Sequence, residues 1–265
     1  MKLKNKLSFI TSLRLVMNNP NKIGLMLLFD ILFLVSTFVL QILFGYFAKS
    51  LVVPQTLASA FIFIIFSLIY YLIIIFAYSL FKYGILDFIK SLFEKSEFSF
   101  KRLGQFYSLN IVIAGIFFSI MLLFSFILSS IKQTYAPFVF IFLAVPYLLF
   151  LYIVTNISHS LFYQGASTKE SIKKTFEITF AKMKIYREII LVMILAALSL
   201  WLLFFGSGYL IRLIASKNYT LYLNWYKYFK YASIIVFYLA FYLVILINRI
   251  AFYQIIRNFN FVRQN

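Results

Sequence analysis

The chain has 265 residues, of which 64% are apolar and 12% are charged; an average soluble domain has about 25% charged residues. One soluble core could not bury so much apolar surface, so the composition excludes a soluble enzyme, a secreted disulfide scaffold and a disordered chain. There is no cysteine, so no disulfide or thiolate site can form. The net charge is +18, and the basic residues lie mainly between apolar runs. That placement favours anionic lipid headgroups, and not nucleic acid, as the partner.

Six apolar runs are long enough to cross a hydrocarbon core, which takes about 20 helical residues. In chain order, the predicted spans are residues 23–47, 57–81, 106–131, 137–161, 189–213 and 231–253. The first run is interrupted by Asp30. We therefore predict an all-α, polytopic membrane protein that forms one domain over residues 1–265.

The basic residues between the spans predict the orientation. Nineteen Lys and Arg residues fall on the side of the two termini, and six fall on the opposite side. Because short loops rich in Lys and Arg remain in the cytoplasm, we predict a multi-pass protein of the cell membrane with both termini cytoplasmic. The candidate contacts for lipid headgroups or a protein partner on this side are Lys90, Lys101, Arg102, Lys173 and Lys174.

The chain also resembles itself. The run SLFKYG at 79–84 matches SLFYQG at 160–165, DFIKSLFE at 87–94 aligns with ESIKKTFE at 170–177, and FITSL at 9–13 echoes FIKSL at 88–92. The copies cover approximately residues 1–84, 85–166 and 167–265, and each begins with a short helix before two spans. Apolar residues at 9, 10, 13, 16, 17 and at 85, 88, 89, 92, 93 lie on one helix face, with a looser stripe at 172, 176, 180 and 183. We predict that these leading helices are amphipathic and lie in the inner headgroup plane.

Six spans in three hairpins, with three leading helices and Ser-Leu-Phe-x-x-Gly endings, resemble a loose group of six-span prokaryotic membrane proteins. The group includes the membrane domain attached to some glycerophosphodiester phosphodiesterases. The resemblance covers essentially the whole chain and implies the architecture. It implies no chemistry, because we expect no soluble phosphodiesterase domain to accompany these spans.

The inventory of catalytic side chains is small. One histidine and seven acids, without cysteine, leave few ways to assemble a metal or nucleophile site. His159 and Ser160 are consecutive, and consecutive helical residues do not face each other. Six acids are expected to form solvated ion pairs with the basic segments: Asp87, Glu94, Glu97, Glu170, Glu177 and Glu188. We therefore predict no enzymatic activity, no cofactor and no metal.

Asp30 is the exception among the acids, because it lies about seven residues into a span. An ionisable group there costs about 2.5–3.5 kcal/mol on insertion scales, so we expect it to have a partner or a water-filled cavity. The repeat alignment places Asn110 near the equivalent position. The predicted intramembrane polar cluster comprises Asp30, Asn110, Asn156, His159, Asn248 and Arg249. Asp30 would pair with Arg249 or His159, and the cluster is either a structural clamp or a site for a cation, a proton or a lipid headgroup.

Three classes of function are consistent with these features. The first is a non-catalytic membrane protein that organises lipid or docks partners through its basic cytoplasmic face. The second is a small-solute or ion transporter or channel that uses the polar cluster around Asp30, because many transporters are built from repeats. The third, an intramembrane enzyme that acts on lipid, is least favoured because acid–base groups are few.

Overall fold

The computed structural model describes residues 8–49, 56–96, 98–215 and 218–258. Over these residues the chain forms eight α-helices, one 3₁₀ turn at Met183–Ile185 and no β-strand. The helices are α1 (Ser8–Asn18), α2 (Pro20–Ala48), α3 (Leu57–Ser91), α4 (Phe100–Ser129), α5 (Ala136–Tyr163), α6 (Thr168–Ala181), α7 (Arg187–Ala215) and α8 (Tyr219–Asn258). The all-α prediction is confirmed. Glu97 and both chain termini lie outside the described residues.

Six of the described helices are long and apolar enough to cross a membrane, as predicted. They are α2 to α5, α7 and α8, and each contains all or nearly all of one predicted apolar run. Two of them are much longer than a bilayer requires: α3 has 35 residues and α8 has 40. These helices therefore continue beyond the hydrocarbon core, which about 20 residues suffice to cross.

The helices group into two compact units. One contains α1, the 3₁₀ turn, α7 and α8, and we call it the α7–α8 unit. The other contains α2 to α6, and we call it the α2–α6 unit. The single domain and its threefold internal repeat stay predictions.

The core of the α2–α6 unit lies at one end of its helices. Hydrogen bonds join these helix ends: Lys22 Nζ donates to the Ser91 carbonyl at 2.7 Å, and Arg102 donates to the Phe162 carbonyl at 3.0 Å. The buried side chains of α3 cluster over residues 79–89, those of α4 over 103–113, and most of those of α5 over 153–163. We call this the basic end, because the final turn of α3, the segment that joins it to α4 and the first turns of α4 and α6 carry Lys90, Lys95, Lys101, Arg102, Lys169, Lys173 and Lys174.

The opposite end of the same helices, the distal end, is apolar and exposed. No residue of the most apolar 18-residue window of α3 or of α4 is buried within the described chain. Phe126 of α4 is 68% exposed and Phe142 of α5 is 78% exposed. Because a water-exposed surface of this kind would be strongly unfavourable, the distal end is suited to contact lipid.

Two glycines at matching positions of the repeat differ in conformation, and only one of them ends a helix. Gly165 has φ 114°, a left-handed conformation that favours glycine, and it stops α5. The amide of Gly165 bonds the Phe162 carbonyl at 3.0 Å, and the amide of Ala166 bonds the Leu161 carbonyl at 3.2 Å, which is the Schellman pattern. The equivalent Gly84 stays helical, so α3 continues to Ser91. The second leading helix is therefore the final part of α3 and not a separate element, which corrects the predicted boundary.

The two separate leading helices are buried mainly through small polar residues. In the α7–α8 unit, Ser12 of α1 is fully buried and its hydroxyl lies 3.2 Å from Gln254 Oε1 on α8, whereas Ile10 and Met17 are exposed. In the α2–α6 unit, α6 buries Ser171, Thr175, Ile178 and Thr179. Small side chains permit close helix contact. The apolar stripe predicted for α1 is consequently left largely on the outside.

Helix α6 runs back along α5. Its first residue, Thr168, donates to the Gln105 carbonyl at the basic end, and Phe180 near its last residue lies 5.8 Å from the Phe150 ring, measured between centroids. Phe150 lies thirteen residues before the end of α5, which corresponds to roughly 20 Å along a helix. The orientation of α6 relative to the headgroup plane stays a prediction.

Candidate functional site

A buried hydrogen-bond chain joins three spanning helices of the α2–α6 unit. Asn110 of α4 is 3% exposed, and its Nδ2 donates to Ser79 Oγ of α3 at 3.0 Å. Its Oδ1 lies 2.7 Å from Nε2 of His159 on α5. Two members of the predicted polar cluster are thus in direct contact, and Ser79 is an additional member that the sequence interpretation did not include.

The donors in this series of hydrogen bonds determine which ring nitrogen of His159 carries the proton. The Ser79 hydroxyl donates its only hydrogen to the Ile75 carbonyl at 2.7 Å, so toward Asn110 it can only accept. Asn110 must therefore present its amide nitrogen to Ser79 and its oxygen to His159. Because an amide oxygen only accepts, His159 carries a proton on Nε2.

Aromatic packing holds the histidine in place. The His159 ring lies 4.7 Å from the Phe106 ring and 6.2 Å from the Tyr78 ring, measured between centroids. The neighbouring Ser160 donates to the Asn156 carbonyl at 2.7 Å. The hydroxyl that a serine–histidine catalytic pair would need is therefore directed into its own helix backbone. The arrangement is that of an interhelical clamp, for which measured contributions average about 0.6 kcal/mol per hydrogen bond in a membrane.

A cavity of about 450 Å³ lies between α2, α3, α4 and α5, and Asn110 is one of its lining residues. We call it the α2–α5 cavity. Its lining is Phe33, Tyr71, Ile74, Ile75, Tyr78, Asn110, Ile113, Ala114, Phe117, Phe118, Leu151 and Thr155. Asn110, Thr155 and the two tyrosines supply the polar groups, and no charged side chain contributes to this lining. The cavity was not anticipated from the sequence, because helix adjacency cannot be read from hydropathy.

The other predicted cluster residues occupy different environments. Asn156 donates to the Tyr152 carbonyl within its own helix at 2.8 Å. Asp30 of α2 is half-buried, and its pairing with His159 or Arg249 stays a prediction. Asn248 and Arg249 belong to α8 of the other unit. Asn248 is fully buried there, and neither its Nδ2 nor its Oδ1 has a hydrogen-bond partner among the described residues.

Three of the five basic candidates make contacts within the fold. Lys90 Nζ lies 5.8 Å from the centroid of the Tyr163 ring and 3.9 Å from Glu94. Arg102 lies over the Phe162 ring and donates to its carbonyl, the usual way a cation satisfies a helix C-terminus. Lys174 lies 2.7 Å from Glu170. These three charges therefore stabilise the basic end.

The remaining candidates, Lys101 and Lys173, are exposed. Neither forms a hydrogen bond or ion pair with another described residue. Lys95 and Lys169 share this environment. Two of the acids nearby pair with other lysines, since Glu94 faces Lys90 and Glu170 faces Lys174. The four exposed lysines, which we call the lysine set, form no close ion pair with a described residue and leave excess positive charge at the basic end.

One acid at the basic end has a partner that sequence reasoning missed. Asp87 was expected to form a solvated ion pair, but its Oδ1 accepts from the Tyr163 hydroxyl at 2.6 Å and from Ser96 at 2.5 Å. These bonds tie the end of α3 to the end of α5. Asp87 and Tyr163 both lie in segments that the internal repeat had identified. That the two side chains are in contact follows only from the packing of α3 against α5.

The ion pair of α6 perturbs one titration outside the spans. The hydrogen bond from Lys174 holds the pKa of Glu170 below its ordinary value, and the positive charge of Lys174 acts in the same direction. Glu170 consequently stays ionised to a lower pH than an isolated glutamate would. The pair is partly exposed, so its contribution to stability is small.

The described residues contain no group of three or more His, Cys, Asp or Glu side chains that could hold a metal ion. Comparisons with known proteins add no further assignment. No protein-family model, curated protein or solved structure matches the chain.

Proposed function

We propose that this integral membrane protein binds anionic lipid through its basic end and has no catalytic activity. The observation that carries the proposal is the lysine set: Lys95, Lys101, Lys169 and Lys173 are exposed, form no close ion pair with a described residue and lie where α3 to α6 meet. Phosphate oxygens of anionic headgroups would supply the missing counter-charges. The protein would be located in the cell membrane with this end toward the cytoplasm.

Electrostatics supports a membrane partner for these charges. A Lys or Arg close to an anionic leaflet gains about 1 kcal/mol. The apolar distal end anchors the same helices in the hydrocarbon core. The lysine set would therefore be held near the headgroups, and no further free energy would be needed to bring it to the membrane. Docking of an acidic protein partner would use the same charges and is an alternative outcome of the test below.

Lipid selectivity can be measured on the purified protein in mild detergent. Equal amounts of phosphatidylglycerol and phosphatidylcholine are added, and the retained lipids are counted by native mass spectrometry. The unchanged protein should retain phosphatidylglycerol preferentially. The preference of the double variant K101Q/K173Q should be about thirtyfold lower, because two contributions of about 1 kcal/mol are removed.

A matched control separates a local effect from a change in net charge. K227Q/K230Q removes the same charge from exposed positions of α8 in the other unit, and it should retain the preference. Equal loss in both double variants, or retention in both, would contradict the proposal. Retention of a stoichiometric protein subunit in place of lipid would favour docking instead.

One observation favours a second function, the transport of a small solute or ion. The α2–α5 cavity reaches the buried Asn110, which a pathway through this unit could use. Transport would require a route past the packed basic end. Flux into liposomes that is lost in Asp30→Asn and Asn110→Leu would support this function, and a flux equal to that of empty liposomes would exclude it.

A further inference from the structure

The α2–α5 cavity has the size and chemistry of a binding site. Its volume of about 450 Å³ lies within the range of about 300–1,000 Å³ that is usual for small-molecule sites. The walls are aromatic and aliphatic, with Phe33, Ile75, Phe117 and Leu151 coming from four different helices. An ion would find no charged partner in this lining, and water would find few polar ones. The cavity is therefore suited to an apolar occupant.

Asn110, which lines the cavity, lies at the depth of lipid ester groups. Asn110 and its hydrogen-bond partners Ser79 and His159, which lie outside the lining, are each two to four residues inside the basic-side boundary of a predicted span. This corresponds to about 3–6 Å along the helix axis, where a glycerolipid carries its carbonyl oxygens. From Asn110 the lining continues along α4 to Phe118, roughly 12 Å further toward the distal end. The cavity thus runs in the direction of an acyl chain.

Asn110, on the basic-end side of the cavity, has a hydrogen-bond donor without an acceptor among the described residues. Asn110 Nδ2 carries two hydrogens, and one is donated to Ser79. The other finds no acceptor among the described residues, although Asn110 is only 3% exposed. A buried donor left in this state costs about 1–3 kcal/mol. The Thr155 hydroxyl, which also lines the cavity, is likewise without a hydrogen-bond partner in the described part of the chain.

We propose that the α2–α5 cavity holds one acyl chain of a membrane lipid, with the ester carbonyl of that chain accepting a hydrogen bond from Asn110 Nδ2. Tyr71 and Phe118 at the far end are partly exposed, so the cavity opens to the surrounding bilayer and the chain can enter from the side. The inference extends the proposed lipid binding to the tail region. It does not depend on the lysine set, because the recognised groups are the ester and the hydrocarbon.

Filling the cavity tests this assignment. Ala114 lines the cavity, whereas Gly115 is exposed and an added Cβ there would meet nothing within 4 Å. Ala114→Phe should exclude the chain, and Gly115→Phe is the matched control on the same helix. Each protein is reconstituted in phosphatidylcholine, extracted gently and analysed by native mass spectrometry. The unchanged protein and Gly115→Phe should retain a single lipid through stepwise delipidation, and Ala114→Phe should retain none.

The outcomes distinguish this inference from the proposed headgroup function. Phosphatidylcholine has no net charge, so K101Q/K173Q should retain the lipid in this assay while losing its preference for phosphatidylglycerol. If Ala114→Phe does not fold, Ala114→Leu provides the same comparison with a smaller side chain. Loss of all lipid from the folded unchanged protein, or equal retention by the cavity-filling variant and Gly115→Phe, would overturn the assignment.

Discussion

The two ends of the α2–α6 unit contrast sharply in packing. At the basic end, Phe106, Ile89 and Ile157 are fully buried, and hydrogen bonds link helix to helix. At the distal end of the same helices, Phe126 and Phe142 are exposed. The buried side chains of the basic end and the exposed side chains of the distal end are both largely apolar, so hydrophobicity alone does not predict which of them are buried.

The difference follows from the solvent that each end would meet. Lipid tails are as apolar as leucine, so packing apolar helices together within the bilayer gains little from the hydrophobic effect. Where the helices leave the hydrocarbon core, water is the alternative environment, and burial becomes favourable. The long helix α3 therefore has its core near its final turns and its lipid-facing surface before them.

The largest expected effect is the loss of a ring from the basic end. Phe106 contacts the rings of His159, Phe162 and Tyr83 at 4.7, 5.5 and 5.7 Å, measured between centroids. Phe106→Ala should lower the free energy of unfolding by about 3–5 kcal/mol, because it leaves a cavity. Phe126→Ala on the same helix should change it by less than about 1 kcal/mol. Unfolding titrations in mixed micelles would compare them, and equal losses would break the proposed contrast between the ends.

Substitution of two helical glycines should have a smaller effect on the free energy of unfolding. A Cβ on Gly84 would lie 2.5 Å from the Phe29 ring, whereas one on Gly104 would meet nothing within 4 Å. Gly84→Leu should destabilise the protein by about 1–3 kcal/mol through overpacking. Gly104→Leu should stabilise it by up to about 1 kcal/mol, since leucine is the better helix former. The same titrations apply, and opposite signs are the expected result.

The buried hydrogen-bond chain should contribute less than the aromatic core beside it. Asn110→Leu removes the acceptor of His159 Nε2 and should cost about 1–2 kcal/mol, between the average for membrane hydrogen bonds and the penalty for a buried unsatisfied donor. Ser108→Ala is the control, because Ser108 is exposed and bonds only within α4. A thermal-stability assay in detergent suffices. An unchanged Asn110→Leu would show that the clamp is dispensable.

The smallest effect concerns the exposed ion pair of α6. The pKa of Glu170 is lower in the folded state, so its stabilising contribution is complete above its ordinary pKa and is lost as the pH falls through the folded value. An i,i+4 pair contributes about 0.3–0.5 kcal/mol. The stability difference between the unchanged protein and Glu170→Gln should therefore be present at neutral pH and vanish in acid. A difference that increases in acid would have the wrong sign.

Much of the architecture could be predicted from the sequence, because hydropathy depends on the bilayer and not on neighbouring helices. The six apolar helices and the all-α class are examples. Helix ends were harder to predict. The glycines of two matching segments behave differently: Gly165 adopts a left-handed conformation and ends α5, whereas Gly84 stays helical beside Phe29. Tertiary packing decides between these outcomes, and the contacts between helices cannot be read from one amino-acid sequence.

The candidate site shows the same division. Asn110 and His159 could be identified as polar residues inside apolar runs, and they are in contact. Their partner Ser79 and the bond between Asp87 and Tyr163 depend on which helices are neighbours. The α2–α5 cavity depends on gaps between four helices, which no sequence period encodes.

The orientation of the basic end toward the cytoplasmic leaflet is central to the proposed binding of anionic lipid. The chain has no cysteine, so the labelling of a single introduced cysteine shows on which side of the membrane that position lies. Lys173→Cys and Lys227→Cys would be treated in intact cells with a membrane-impermeant maleimide, before and after permeabilisation. We expect the cysteine at position 227 to react in intact cells and the one at position 173 to react only after permeabilisation. The reverse pattern would contradict the orientation and, with it, the proposed binding of anionic lipid.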